Sequence, residues 1–401
     1  MNLINGKIVD DTAAWQIESD LYPRICETLS KPKLDVNTVI SACDEFVSGL
    51  TFDQYAALFE QLGITREAAE AYILRGKNEF GKEALCERLS RELGENRENI
   101  HPLGVLLHIA AGNADGLPVF SVLEGLLTGN INLLKLPSAV DVVTIPLLLR
   151  LFEIAPCLAE YVYVFDFSSK EITKTESLIQ YADGVIVWGG DAAVSAFRRT
   201  VPPNVKLIEW GHKVSFAYVS KAVQEEELPL LAEHIAKTDG LLCSSCQGVY
   251  VDTEDLASAA DFCERFLPYL SKCAAEKSYG VGITAHRTLY LENERLEGNR
   301  IWRGENCGIT LRPDTALDSG AGFCCIWVKA LPKEQILPVL KPYRNRLQTV
   351  GLLCPPERRE ELAELLFTAG ATSVTHGDMS QSTLAHDGEY SLRRYVRICT
   401  M

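Results

Sequence analysis

Cys243 and Cys246 stand three residues apart in LLCSSCQGVYVD, between a helix-like stretch, EEELPLLAEHIAKT, and a strand-like VYV. Such a CxxC pair is half of a metal clamp, a redox dithiol, or a nucleophile with an incidental neighbour. Zinc takes four ligands, and the chain offers neither a second CxxC nor paired histidines, only the adjacent Cys324 and Cys325, so no metal is expected. A thioredoxin-type dithiol opens a helix, whereas this pair follows one. The ordinary alternative is two thiols packed in a core. Against it, Ser244, Ser245 and Gln247 make a small polar turn around Cys243. A turn of that kind exposes a sulfur and sets backbone N–H groups beside it, as a nucleophile requires.

Four further residue groups could act on a carbonyl or hold a nucleotide. In HPLGVLLHIAAGNADGLPVF a strand delivers the chain to Asn113, whose side-chain amide can donate to a developing oxyanion. Lys135 ends the run INLLK, where an ammonium can meet ribose hydroxyls or phosphate. GVIVWGGDAAV places Gly189 and Gly190 between a strand and a helix, a geometry that turns helix N–H groups towards a phosphate. Glu209 ends the run KLIE ahead of a glycine and can carry a carboxylate into a cleft. Taken singly, each has a plain reading as a turn asparagine, a surface lysine, a connecting glycine pair or a salt-bridged glutamate.

These groups need elements to hold them in place. From His101 onward, apolar runs (GVLLHIAAG, INLLKL, YVYVFDF, GVIVWGG, VKLIEWG) alternate with the helical stretches GLPVFSVLEGLL, VTIPLLLRLFEI and DAAVSAFRR. Continuous apolar runs with helical crossovers predict buried parallel strands in a doubly wound, nucleotide-binding sheet. The expected organisation is a helical region over 1–100 packing on a cofactor domain over 101–213. A second α/β domain carrying Cys243 follows over 214–375, and a C-terminal segment over 376–401 serves oligomerisation or returns to the cofactor domain.

With 401 residues, 47% hydrophobic and 23% charged, the composition is that of a globular protein. A net charge of -15 argues against a nucleic-acid partner. No uninterrupted apolar run reaches the roughly 18 residues of a membrane span. The thirteen cysteines are scattered through a long chain without a signal-type N-terminus, so reduced thiols and a cytoplasmic location are expected.

In this order the motifs resemble the aldehyde dehydrogenase superfamily, and most closely its acyl-CoA reductase branch, the LuxC-like reductases. PLGV…AGN…GLP is similar to the strand and catalytic-asparagine turn of that superfamily. LLTGNINLLKLPS resembles its cofactor-ribose segment, VIVWGGDAAV the nucleotide turn of the reductases, IEWGHK the glutamate motif, and CSSCQ their C-[ST]-S-P-Q. The late HDG…L…VR pattern, His386 to Arg397, resembles the end of the branch. Three features depart from the pattern: no E-x-F-G-P motif is found, KLPS is one residue longer than K-P-S, and WGHK lacks a second glycine.

The resemblance implies an aldehyde dehydrogenase-like α/β fold, with a doubly wound Rossmann-type cofactor domain and a second α/β catalytic domain. It assigns Cys243 as nucleophile, Asn113 to the oxyanion and Glu209 to the general-base position. Lys135, Ser138, Gly189, Gly190 and Gly211 go to the cofactor. The implied reaction is NADPH-dependent reduction of an acyl thioester (fatty acyl-CoA or acyl-protein) to an aldehyde, with NADH as the alternative donor. The competing activity is NAD(P)-dependent oxidation of an aldehyde to an acid. The implied partners are a synthetase that passes the acyl group on and further copies of the chain.

Overall fold

The computed structural model describes residues 1–61, 66–111, 116–137, 141–379 and 385–400. The chain forms two units, one of residues 1–211 and 390–401, the other of residues 212–389.

The first unit opens with a hairpin, β1 (Asn2–Ile4) and β2 (Lys7–Val9). Helices α1 (Asp11–Ser19), α2 (Leu21–Ser30), α3 (Val36–Gly49), α4 (Ala56–Gln61), α5 (Arg66–Phe80) and α6 (Lys82–Leu93) follow. The helical reading of residues 1–100 therefore misses the hairpin, which joins the edge of the sheet through β1. After β3 (Ile100–Pro102) come β4 (Val105–Ile109), α7 (Leu117–Leu127), β5 (Ile131–Lys135), α8 (Thr144–Ile154) and β6 (Val162–Phe165). Then follow α9 (Ile172–Ile179), β7 (Gly184–Trp188), α10 (Asp191–Thr200) and β8 (Lys206–Trp210). The sheet order is β2-β1-β6-β5-β4-β7-β8, and β6, β5, β4, β7 and β8 are parallel. That is the 3-2-1-4-5 winding of a Rossmann-type sheet, which reverses direction between β4 and β7.

Strands β4, β5 and β7 are buried along their whole length, because helices cover both faces of a parallel sheet. Gly125 lets α7 lie close on β5: a Cβ there would stand 1.8 Å from Asn132 Oδ1. The polar residues inside these strands are paired. His108 Nδ1 lies 2.6 Å from Ser121 Oγ, and its Nε2 lies 3.0 Å from Asn132 Oδ1.

Burial pushes the His108 imidazole down to about 4, against the opposing Asn132 contact. It is therefore neutral in the folded chain near pH 7. Below about 6.5 the unfolded chain takes up a proton that the folded chain refuses until about pH 4, so folding weakens as pH falls through that window. The loss from this group alone is roughly 3 kcal/mol. Urea unfolding at pH 7 and pH 4.5 should show it, and His108→Gln should shrink the difference between the two.

The second unit holds β9 (Val214–Ser220), α11 (Leu228–Thr238), β10 (Cys246–Asp252), α12 (Leu256–Ala275), α13 (Val281–Leu296), β11 (Arg300–Gly304) and β12 (Cys307–Leu311). It continues through β13 (Cys325–Ala330), α14 (Ile336–Leu340), β14 (Leu347–Leu353), α15 (Pro356–Ala369) and β15 (Ser373–Thr375). Its sheet order is β11-β12-β13-β10-β9-β14-β15, with only β11 antiparallel to its neighbour. A buried Lys329 ties the loop after β12 to this sheet by bonding Asp314 (2.5 Å), Ala316 O (2.7 Å) and Asp318 (2.6 Å).

Tyr390–Met401 belongs to the first unit, where α16 (Ser391–Arg394) leads into β16 (Val396–Ile398) and β16 pairs with β3. No helix among the described residues is long and apolar enough to cross a membrane.

Candidate active site

The turn that carries Cys243 is built by a forced helix end. Helix α11 stops at Asp239 and Gly240, both in the left-handed region (φ +51° and +73°). The glycine is required there, since a Cβ would lie 2.8 Å from the Gly322 Cα. Leu241 N–H then donates back to Thr238 O (3.1 Å), closing a reverse turn whose two central residues both have positive φ. Ser245 closes the turn: its N–H donates to Leu242 O (3.0 Å) and its Oγ accepts from Leu242 N–H (2.9 Å). Gln247 braces it by donating to Gly240 O (3.1 Å) and accepting from Gly320 N–H (2.9 Å).

The two cysteines of the motif lie in different surroundings. Cys246 begins β10 and is buried, with its sulfur 3.2 Å from Gly248 O, and burial pushes its thiol up to about 12. Cys243 sits on the turn and is exposed, alone among the eight cysteines of the second unit. Both thiols are free. Among the described residues no group of three or more His, Cys, Asp or Glu side chains is placed to hold a metal ion.

Although Cys243 is exposed, the protein packed around its sulfur takes part of its water away and raises the thiol above its ordinary value. The Gln348 side-chain amide opposes this, the Asp387 charge adds to it, and the backbone N–H groups of Ser244 and Cys243 favour the thiolate. Ser215 Oγ holds the turn by donating to Cys243 O (2.7 Å), and is itself fixed by Thr349 N–H (3.0 Å). Gln348, Asp387 and Ser215 were not singled out from the sequence. The available signals were a polar residue opening the apolar run LQTVGLL and an aspartate inside HDG.

In the first unit, Lys135, Gly189, Gly190, Glu209 and Gly211 all stand at the carboxyl ends of β5, β7 and β8. In open α/β sheets that edge binds ligands, at the point where strand order reverses. Lys135 is buried with one hydrogen bond among the described residues, to Leu136 O at 2.8 Å, and lies 5.3 Å from the Phe167 ring centre. Burial lowers its ammonium, while Asp166 and Glu171 pull it back up. A lysine has three donors, and the described residues occupy one of them. Gly190 is the N-cap of α10 and makes no side-chain cap bond. A Cβ at Gly190 or Gly211 would meet nothing within 4 Å. Open space, helix N–H groups and an ammonium at one sheet edge fit a dinucleotide.

Glu209 is not a free carboxylate. Arg198 on α10 donates to it through both Nε (2.5 Å) and Nη2 (2.6 Å), a bidentate pair. Asn113 and Ser138, expected at the oxyanion and the ribose, lie outside the described residues.

Comparison with known proteins gives three findings. The profile of a family described as Acyl-CoA reductase (LuxC) matches residues 33–277 and 302–398. The chain is similar to the long-chain acyl-protein thioester reductases of Aliivibrio fischeri (24% identical, over 74% of this chain and 63% of that one) and Photorhabdus luminescens (23%, over 80% and 68%). The match thus spans less than two thirds of the Aliivibrio protein. Its fold is similar to that of methylmalonate-semialdehyde dehydrogenase from Oceanimonas doudoroffii (TM-score 0.74, 14% identity, 99% of this chain and 96% of that one). Lactaldehyde dehydrogenase from Escherichia coli is a second neighbour (TM-score 0.70, 13% identity, 96% and 89%). The fold is thus aldehyde dehydrogenase-like, as the order of the motifs implied.

Proposed function

Starting from the fact that the chain belongs to the acyl-CoA reductase (LuxC) family, we propose that it reduces an acyl thioester to an aldehyde through a covalent thioester on Cys243. The observation that carries this reading is the isolation of Cys243: an exposed thiol on a braced turn, where the other cysteines of the second unit are not exposed.

The Cys243 thiolate attacks the thioester carbonyl, the bond to the departing CoA sulfur breaks, and the proton of the Cys243 thiol leaves as that of CoA-SH. The Cys243 N–H, and Asn113 by resemblance, donate to the oxyanion. The acyl group stays on sulfur because a thioester carbonyl accepts hydride more readily than an ester. A bound nicotinamide cofactor supplies that hydride. The resulting thiohemiacetal breaks its carbon–sulfur bond, which releases aldehyde and returns the Cys243 thiolate.

Lys135 would meet the cofactor ribose, with Ser138 beside it by resemblance, and the Gly190 end of α10 its phosphates. NADPH is the proposed donor: no acidic residue directly follows Lys135-Leu-Pro-Ser138, and Glu171 nearby is matched by Lys174 at 2.8 Å. The bidentate Arg198 contact favours reduction over aldehyde oxidation. Oxidation to an acid needs a carboxylate free to activate water, and Glu209 is held as an ion pair. By the same resemblance, the acyl donor is CoA or a partner synthetase and the working form is a homo-oligomer.

The deciding assay supplies fatty acyl-CoA with NADPH or NADH and measures aldehyde, free CoA-SH and cofactor oxidation. One aldehyde and one CoA-SH per NADPH oxidised, faster than with NADH, is the expected result. Inert acyl-CoA together with aldehyde conversion to carboxylate would overturn the reading.

A further inference from the structure

We infer that Ser215 is a positioning residue for the nucleophile: its hydroxyl bridges an irregular stretch of the sheet and holds the Cys243 peptide where the side chain can meet a seated acyl carbonyl. This rests on Cys243 being the nucleophile.

Ser215 stands near the start of β9, in the otherwise apolar run VSFAYV, and is fully buried. A buried hydroxyl needs partners for its proton and its lone pairs. Ser215 Oγ accepts from Thr349 N–H on β14 (3.0 Å) and donates to Cys243 O (2.7 Å), just ahead of β10. Gln348 Oε1 is farther away, at 3.4 Å, so the proton goes to the shorter contact. Among the described residues, this is the hydrogen bond made by the Cys243 carbonyl.

The register explains why a side chain takes this part. Beside Ser215 the ladders on both sides of β9 slip. From Ser215 to Ala217 β9 advances two residues while β10 advances three, Cys246 to Val249. From Val214 to Phe216 it again advances two while β14 advances three, Leu347 to Val350. An extra residue leaves backbone groups without their strand partner, and such bulges gather next to active sites, where they re-aim a side chain. The Ser215 hydroxyl serves one N–H inside the β14 slip and one C=O ahead of the β10 slip.

The consequence falls on Cys243. It lies on an exposed turn, and the bonds of Ser245 and Gln247 close that turn through Leu242, Gly240 and Gly320. The Ser215 bond is the one that joins Cys243 itself to the sheet. A peptide is planar, so fixing its C=O fixes the whole Cys243–Ser244 plane and restrains the direction in which the Cys243 side chain leaves the chain. Attack on a carbonyl depends steeply on that direction, since a shift of about 1 Å can cost roughly 100-fold in rate.

The test compares Ser215→Ala with Tyr218→Phe in the full chain. Tyr218 lies on the same strand, and its buried hydroxyl donates to Leu331 O (3.0 Å), so its variant also loses one buried hydrogen bond. Ser215→Ala should slow both first-turnover CoA-SH release and kcat by about 10- to 100-fold, with KM for acyl-CoA little changed. Tyr218→Phe should lose stability but keep its kcat. Iodoacetamide reaches a thiol from solution without being seated, so Ser215→Ala should still be alkylated at Cys243 at nearly the parent rate, read by peptide mass spectrometry. Ser215→Cys keeps the shape with a weaker donor and stands as the second variant if Ser215→Ala does not fold. An unchanged kcat in the folded Ser215 variant, or equal losses of kcat in it and Tyr218→Phe, would overturn the inference and leave Cys243 as nucleophile. Alkylation slowed as much as acylation would also overturn it. Full turnover in Cys243→Ala would instead remove the reading on which it rests.

Discussion

Cys243→Ala should lower acyl-CoA reduction by at least about 1,000-fold while the dissociation constant for NADPH stays within about threefold. The sulfur is the only atom asked to hold the acyl group, and removing a covalent nucleophile leaves only binding and oxyanion contacts. Cofactor affinity should persist because the residues assigned to it lie on the carboxyl edge of the first unit's sheet, whereas Cys243 belongs to the second unit. Cys246→Ala is the paired control. Its sulfur is packed in the core and bonded to Gly248 O, so the variant should lose stability rather than chemistry. Steady-state kinetics and cofactor titration of the two variants check both statements. Equal losses of turnover in both would return the motif to a dithiol or a metal clamp.

The second large effect is on folding. Glu124 on α7 is fully buried and accepts from Arg88, from Ser391 Oγ (2.5 Å) and from Tyr395 OH (3.1 Å). Arg88 also donates to Glu92 (2.7 Å), which in turn accepts from Leu392 N–H (2.9 Å). One buried carboxylate thus joins α6, α7 and the returning C-terminal segment. Glu124→Gln keeps the shape and removes the charge, leaving Arg88 with part of its charge uncompensated. The expected cost is about 3–5 kcal/mol, read as a loss of roughly 10 °C or more in the melting of the first unit. An exposed pair such as Arg150 and Glu153, broken by Glu153→Gln, should cost under about 1 kcal/mol. Equal small effects from the two variants would mean that the buried network does not anchor the segment.

Glu124 also marks the limit of what could be read from the chain alone. The parallel strands were legible because burial on both faces leaves unbroken apolar runs, and their crossover helices followed from the alternation. Glu124 sits within GLPVFSVLEGLL, and nothing local announces its partners, which lie 36 residues upstream and 267 and 271 residues downstream. Gln348 was invisible for the same reason: Ser215 is 133 residues before it and Asp387 is 39 after it. The hairpin at the start was missed because its strands are three residues each, too short for a period to show. Glu209 could be placed at a strand end, but not its bidentate Arg198, since an arginine 11 residues earlier on an amphipathic helix reads as solvated. Burial separates Cys243 from Cys246 in the fold; in the sequence the traces were the polar turn around Cys243 and the likeness of CSSCQ to C-[ST]-S-P-Q.

The most direct measurement is to hold the protein with a fatty acyl-CoA in the absence of any nicotinamide cofactor and map the acyl group by peptide mass spectrometry. The predicted result is one acyl group per chain on the peptide containing Cys243, removed by hydroxylamine and discharged as aldehyde when NADPH is added. No acylation, or acylation on another residue that NADPH still discharges, would contradict the assignment of Cys243 as the acyl carrier.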